Sequence, residues 1–152
     1  ISPQTFIEGL QSYFPNTAAS EIIAIWNGML LDFPDYRLEF LESLACENDY
    51  RLFLLSNTNA LHIPQVIKIM GESRYNRFKN CFERFYLSHE IHLRKPNTDS
   101  YRFVLEENKL DPSQTLFIDD TFANTESANK LGIKTWNLIV GDEDIVQLKS
   151  KL

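Results

Sequence analysis

The chain has 152 residues, enough for one domain with a substantial core, or a compact core with a small appendage. Hydrophobic residues make up 43% and charged residues 24%, the balance of a folded globular domain, which excludes extensive disorder. A net charge of −6, with no like-charge run longer than Asp142-Glu143-Asp144, argues against duplex nucleic acid or an anionic membrane as the main partner. Any anionic substrate must then be held by a local device, because the overall field repels it.

In chain order, Ser2 and Pro3 open a first helix with Phe6, Ile7, Leu10, Tyr13 and Phe14 on one face, and Pro15 stops it. Ile22, Ile25, Trp26, Met29, Leu30 and Phe33 predict a second helix, capped by Thr17 or Ser20 and stopped at Pro34. Leu38, Leu41, Leu44 and Ala45 predict a third, from about Asp35 to Glu47. The period then changes. The apolar run from Arg51 to Leu55 predicts a strand buried on both faces, ending in the polar turn Ser56-Asn57-Thr58-Asn59.

A helix through Ile63, Val66, Ile67 and Met70 follows, then a loop-rich aromatic stretch leading to the strand Phe85-Tyr86-Leu87. Beyond Lys95-Pro96 the pattern predicts a helix from about Thr98 to Asn108. Thr115 to Ile118 predicts another buried strand, ending at Asp119-Asp120. A helix through Thr125, Ala128, Asn129 and Leu131 stops at Gly132, a strand runs from Lys134 to Ile139, and Ile145, Leu148 and Leu152 predict a short last helix.

Neither apolar run, Leu52 to Leu55 nor Leu116 to Ile118, is long enough to cross a bilayer, and no signal peptide is visible. Cys46 and Cys81 lack a metal spacing or a disulfide framework and fit small buried hydrophobes in a reducing, cytoplasmic setting. The sequence opens at Ile1 rather than at Met, so an upstream segment is expected to have been removed or left out.

Strands alternating with helices imply an α/β fold with a doubly wound parallel sheet. Such sheets bind ligands beyond the carboxyl ends of their strands. The residues there are Ser56-Asn57, Ser88 and Asp119-Asp120. Adjacent carboxylates at a buried strand end repel each other and lose solvation. Magnesium, which takes one or two carboxylates plus waters and phosphate, would compensate, and Asn124 could add an oxygen. A cap for the next helix is the equal alternative.

Ser56-Asn57 offers a hydroxyl and backbone N–H groups to an anion, or forms an ordinary turn. Lys95 stands on a loop held by Pro96, where it either offsets phosphate charge or is solvated. His62, His89 and His92 lack a third ligand for a transition metal. Trp26 and Phe33 read as packing residues that could instead face a cleft.

In order, Ser56-Asn57-Thr58-Asn59, Arg94-Lys95-Pro96 and Phe117-Ile118-Asp119-Asp120 with Asn124 resemble the second, third and fourth motifs of the haloacid dehalogenase superfamily. The resemblance covers roughly residues 35 to 140. Leu54-Leu55-Ser56-Asn57-Thr58-Asn59 with Leu61-His62 and Tyr86-Leu87-Ser88 is similar to a subgroup containing alpha-D-glucose-1-phosphate phosphatase and the phosphatase domain of soluble epoxide hydrolases. It implies a Rossmann-like core over 35–152 with residues 1–34 as part of a small helical cap. It also implies that Ser56 and Asn57 contact a phosphoryl group, that Lys95 neutralises it, and that Asp120 ligates Mg2+ with Asp119 and Asn124 in support.

The family's first motif, Asp-x-Asp after a strand, is absent; Asp142-Glu143-Asp144 reads as a helix start. The nucleophilic Asp is therefore expected upstream of Ile1, on a missing segment of roughly 30 to 60 residues. The implied reaction is hydrolysis of a small phosphorylated molecule, a hexose 1-phosphate among the first to try, through an aspartyl-phosphate. The alternatives are a metal-free haloacid dehalogenase and a non-catalytic phosphate- or partner-binding relative.

Overall fold

A computed structural model describes residues 2–152; Ile1 lies outside the described residues. The chain forms two compact units, one running to His89 and the other from Glu90 to Leu152.

In the first unit, α1 (Pro3–Tyr13) begins where the Ser2 hydroxyl accepts the Thr5 N–H, with Pro3 in its first turn, as the sequence predicts. It packs on α2 (Ala19–Asn27), with the Phe6 and Trp26 rings 4.7 Å apart and Ile7 and Ile22 buried. α2 is shorter than predicted. It stops at Asn27 with Gly28 as its C-cap, and its N-cap is Ala18 rather than Thr17 or Ser20. Residues 29–34 form no helix, and Phe33 instead packs edge-on against Phe78 at 5.0 Å. α3 (Asp35–Glu47) has the predicted bounds and ends at Asn48 in the left-handed region. Leu38 and Leu44 are its buried face.

β1 (Phe53–Ser56) and β2 (Arg84–Leu87) pair in parallel, in a register that sets Ser56 opposite Leu87. A parallel pair needs a long crossover, and α4 (His62–Met70) and α5 (Glu72–Asn80) supply it. α5 falls where the sequence predicts loop. Its segment offers only Tyr75 and Phe78 as apolar anchors, three residues apart, too narrow a stripe to register as helix. Tertiary packing supplies the rest, because Phe78 meets Phe33, Phe82 and Phe85 and Arg77 forms a two-pronged bond to Glu42 of α3.

A short α6 (Ser88–Ile91) follows β2; in the second unit, the Lys95–Pro96 peptide is cis and α7 (Thr98–Asn108) follows it. β3 (Leu116–Asp119) and β4 (Lys134–Asn137) pair in parallel around the crossover α8 (Phe122–Asn129), with Asp119 opposite Asn137. Gly132 turns the chain from α8 into β4 at φ +83°, where a Cβ would be strained. Ala128, Ile133 and Trp136 are buried. The last element is a 3-10 helix, Ile145–Ser150, the short last helix the spacing predicts.

The apolar residues of β1 and β3 are half-buried, not covered on both faces as the sequence predicts. Among the described residues each pairs with one neighbour, which leaves its other edge open. All pairing is parallel and crossed over by helices, the pattern of a doubly wound α/β fold.

Candidate active site

In the first unit, the turn after β1 is fastened by neighbouring side chains. The Ser88 hydroxyl accepts the Thr58 N–H at 3.0 Å and donates to the Thr58 carbonyl at 2.9 Å. The Asn59 side chain accepts the Leu61 and His62 N–H groups at 2.9 and 3.0 Å, which starts α4. Ser56 is half-buried and Asn57 exposed, and the Ser56 hydroxyl has no partner among the described residues. Ser56, Asn57 and Ser88, all read from the sequence as strand-end residues, thus belong to one polar corner.

Ser88 is the member whose role sequence reasoning did not assign. Ser88→Ala is expected to cost about 1–3 kcal/mol, because it removes both partners of a turn peptide. Urea denaturation measures this, and an unchanged midpoint would count against the Ser88 tie.

The second unit gathers the other group. Lys95 and Asp119 meet at 2.7 Å, with side chains only 10% and 8% exposed. The lysine is therefore a buried ion-pair partner, not a solvated residue. Its ammonium also lies over the Phe117 ring at 5.3 Å. The other Asp119 carboxylate oxygen accepts from the Thr121 N–H and the Asn124 side-chain amide, both at 2.9 Å. Buried Tyr101 donates to the Asn124 carbonyl at 2.8 Å and sets its ring edge-on to Phe117. Asn137 on β4 donates to the carbonyls of Asp119 and Asp120. The sequence marks Tyr101 only as an inward-facing helix residue and does not mark Thr121 or Asn137, because none of the three stands directly at the end of an apolar run.

The two adjacent acids therefore have different environments. Asp119 has both oxygens occupied. Asp120 is exposed, and its carboxylate makes no hydrogen bond or ion pair among the described residues. The N-cap of α8 is Thr121, without a side-chain cap bond, so the acids do not cap that helix as the alternative reading has it. Burial, the largest single influence, raises the Asp119 pKa. Lys95, Asn124 and the Thr121 N–H together outweigh it and hold the group below its usual 3.8.

A depressed carboxyl adds stability above its unfolded pKa and loses it as pH falls through the folded one. Thermal stability should therefore hold from pH 7 to about 5 and fall below about 4. The fall should be shallower in Asp119→Asn; an identical fall in that variant would assign the acid sensitivity elsewhere.

Among the described residues no three His, Cys, Asp or Glu side chains gather as a metal cage, so His89 and His92 form none. The donor set instead suits a hard cation held by few protein oxygens. Asp120 is the free carboxylate, and the Asn124 amide oxygen has no partner among the described residues. Asp142-Glu143-Asp144 is structural. Glu143 binds Lys151, the Ile139 N–H and the Trp136 indole, which lower its pKa to about 2, and Asp144 caps the last helix. The Trp26 and His62 rings lie 5.8 Å apart, the packing role the sequence favours for Trp26, while His62 is buried at the start of α4.

The haloacid dehalogenase-like hydrolase family matches residues 10–138, and the chain belongs to that family. It is 26% identical over 111 residues to a D-ribitol-5-phosphate phosphatase of Bacteroides thetaiotaomicron, covering 73% of this chain and 53% of the relative. The chain thus spans about half the length of this curated relative.

A HAD family enzyme from the same organism, an aspartate-to-alanine mutant in complex with magnesium and inorganic phosphate, superposes with a TM-score of 0.88 at 35% identity. That match covers 98% of this chain and 73% of the neighbour. A predicted HAD-like family hydrolase from Porphyromonas gingivalis gives a TM-score of 0.82 at 28% identity, covering 99% and 73% of the two chains.

Proposed function

We propose that these residues serve a magnesium-dependent phosphohydrolase acting on a small organic phosphate of the sugar or polyol class. The observation that carries this reading is the buried Lys95–Asp119 pair beside the unpaired carboxylate of Asp120. Lys95 is held by Asp119, and its ammonium, with three donors and a positive charge, suits a phosphoryl oxygen. The Ser56 hydroxyl, with Asn57 in support, is a donor suited to a phosphoryl oxygen. Asp120, with Asn124 and Asp119 in support, would hold a magnesium ion, which when bound offsets the charge on the transferring phosphoryl oxygens.

The attacking group in this reading is an aspartate that residues 1–152 do not supply. It forms an aspartyl-phosphate that water then hydrolyses. The Asp-x-Asp at 142–144 is engaged in packing and capping and is not that group. Residues 1–34 are assigned to the helical cap and 35–152 to the core.

The partner is the small-molecule substrate rather than nucleic acid or membrane, and no described helix is long and apolar enough to cross a membrane. Two free cysteines, Cys46 and Cys81, support a cytoplasmic setting. The ribitol-phosphate activity of the curated relative moves polyol phosphates ahead of hexose 1-phosphates as first substrates. The test is phosphate release by the full-length protein from ribitol 5-phosphate, glucose 1-phosphate and p-nitrophenyl phosphate, with magnesium and with EDTA. Magnesium-dependent release from any of them supports the reading, and no release from all of them overturns it.

A further inference from the structure

Lys95 poses a mechanical problem. It is 8% exposed, yet it stands on a loop whose neighbours Arg94, Pro96 and Asn97 are exposed. Several bonds stabilise that loop locally: Asn97 N–H to the Arg94 carbonyl at 3.0 Å, Ser100 hydroxyl to the Asn97 carbonyl at 2.7 Å, and Asp99 N–H to the Asn97 side chain at 3.1 Å. These are internal to the loop and the start of α7, so they shape it without fixing it against β3.

The Ser127 hydroxyl makes a bond of another kind. It donates to the Pro96 carbonyl from α8, and Ser127 is itself buried. Asn124 lies one turn earlier on the same helix and donates to Asp119. Residues three apart share a helix face, so one face of α8 holds the backbone beside Lys95 and the carboxylate its ammonium meets.

We propose that Ser127 is a positioning residue, which fastens the Lys95–Pro96 segment to α8 and so sets the Lys95 ammonium for phosphoryl binding. The phosphoryl part rests on the function proposed above; the fastening does not. Without the hydroxyl, the Pro96 carbonyl turns to water, the loop regains backbone freedom, and the ammonium spends less time on Asp119.

The test uses the full-length protein, with Ser127→Ala and Ser100→Ala compared with the unaltered sequence. Ser100 is likewise buried and hydrogen-bonded, but its bond stays within the loop and α7. It therefore controls for the plain loss of a buried hydroxyl. Two signals are read: the slowly exchanging side-chain ammonium resonance of Lys95 by nitrogen-15 NMR, and affinity for inorganic phosphate.

The expected result is that Ser127→Ala broadens or loses the Lys95 resonance and weakens phosphate about tenfold, the usual scale for residues that orient a ligand. Ser100→Ala should change neither. An unchanged Lys95 resonance in Ser127→Ala overturns the proposal, and so does an equal loss in both variants. If the unaltered protein binds no phosphate, the function proposed above fails, while the Lys95 resonance still decides the role of Ser127.

Discussion

Lys95→Met leaves the Asp119 carboxylate buried without its cation, and the expected result is a loss of about 3–5 kcal/mol of stability. With both partners about nine-tenths covered, water cannot replace the ammonium as it would at an exposed pair. For a chain of this length the loss corresponds to a fall in melting temperature of about 10 °C. Adding Asp119→Leu to Lys95→Met should recover much of it, because a buried pair replaced by apolar residues costs little. Thermal and urea denaturation of the single and double variants provide the check. A single variant that melts with the unaltered chain would mean the pair is not closed in solution. Activity should stay lost in the double variant even where stability returns.

Asp120→Asn should behave in the opposite way. The residue is exposed and unpaired, so stability should stay within about 0.5 kcal/mol of the unaltered value. Magnesium-dependent phosphate release should fall roughly a thousandfold, the equivalent of about 4 kcal/mol of lost charge stabilisation. Treating the unaltered enzyme with EDTA should give the same loss. Steady-state kinetics over a magnesium titration measures both. A variant that retains activity and the same magnesium response would remove Asp120 from the site. The two neighbouring acids are thus separable by experiment, one governing folding and the other chemistry.

That separation could not be read from the sequence. The doublet at the end of β3 marks both acids equally, and spacing assigns a common purpose to Asp119, Asp120 and Asn124. The structure divides them because Lys95, Thr121 and Asn124 converge on Asp119 alone. Long-range partners decide this, and no local pattern encodes them.

Where the signal is local the sequence suffices. The Ser2-Pro3 start of α1, the bounds of α3 and α7, and the Asp144 cap all follow from residue types within a few positions. Where tertiary packing overrides propensity it fails, as for α5 and for the early end of α2 at Asn27. Ser127 was legible in principle, standing one helical turn from Asn124. Its partner, the Pro96 carbonyl, is a backbone atom that no residue identity announces.

α8 carries Asn124 and Ser127 together with Thr125 and the fully buried Ala128. Under the proposed function, recognition and core thus occupy one short helix, and a substitution that relieves or crowds its packing would also move Asn124 and Ser127. Evolutionary change of substrate is therefore constrained in this segment, where most drift would cost catalysis and folding at once. Diversification among relatives should concentrate elsewhere, in the helices before β1, whose exposed faces can vary without altering the buried residues of those helices.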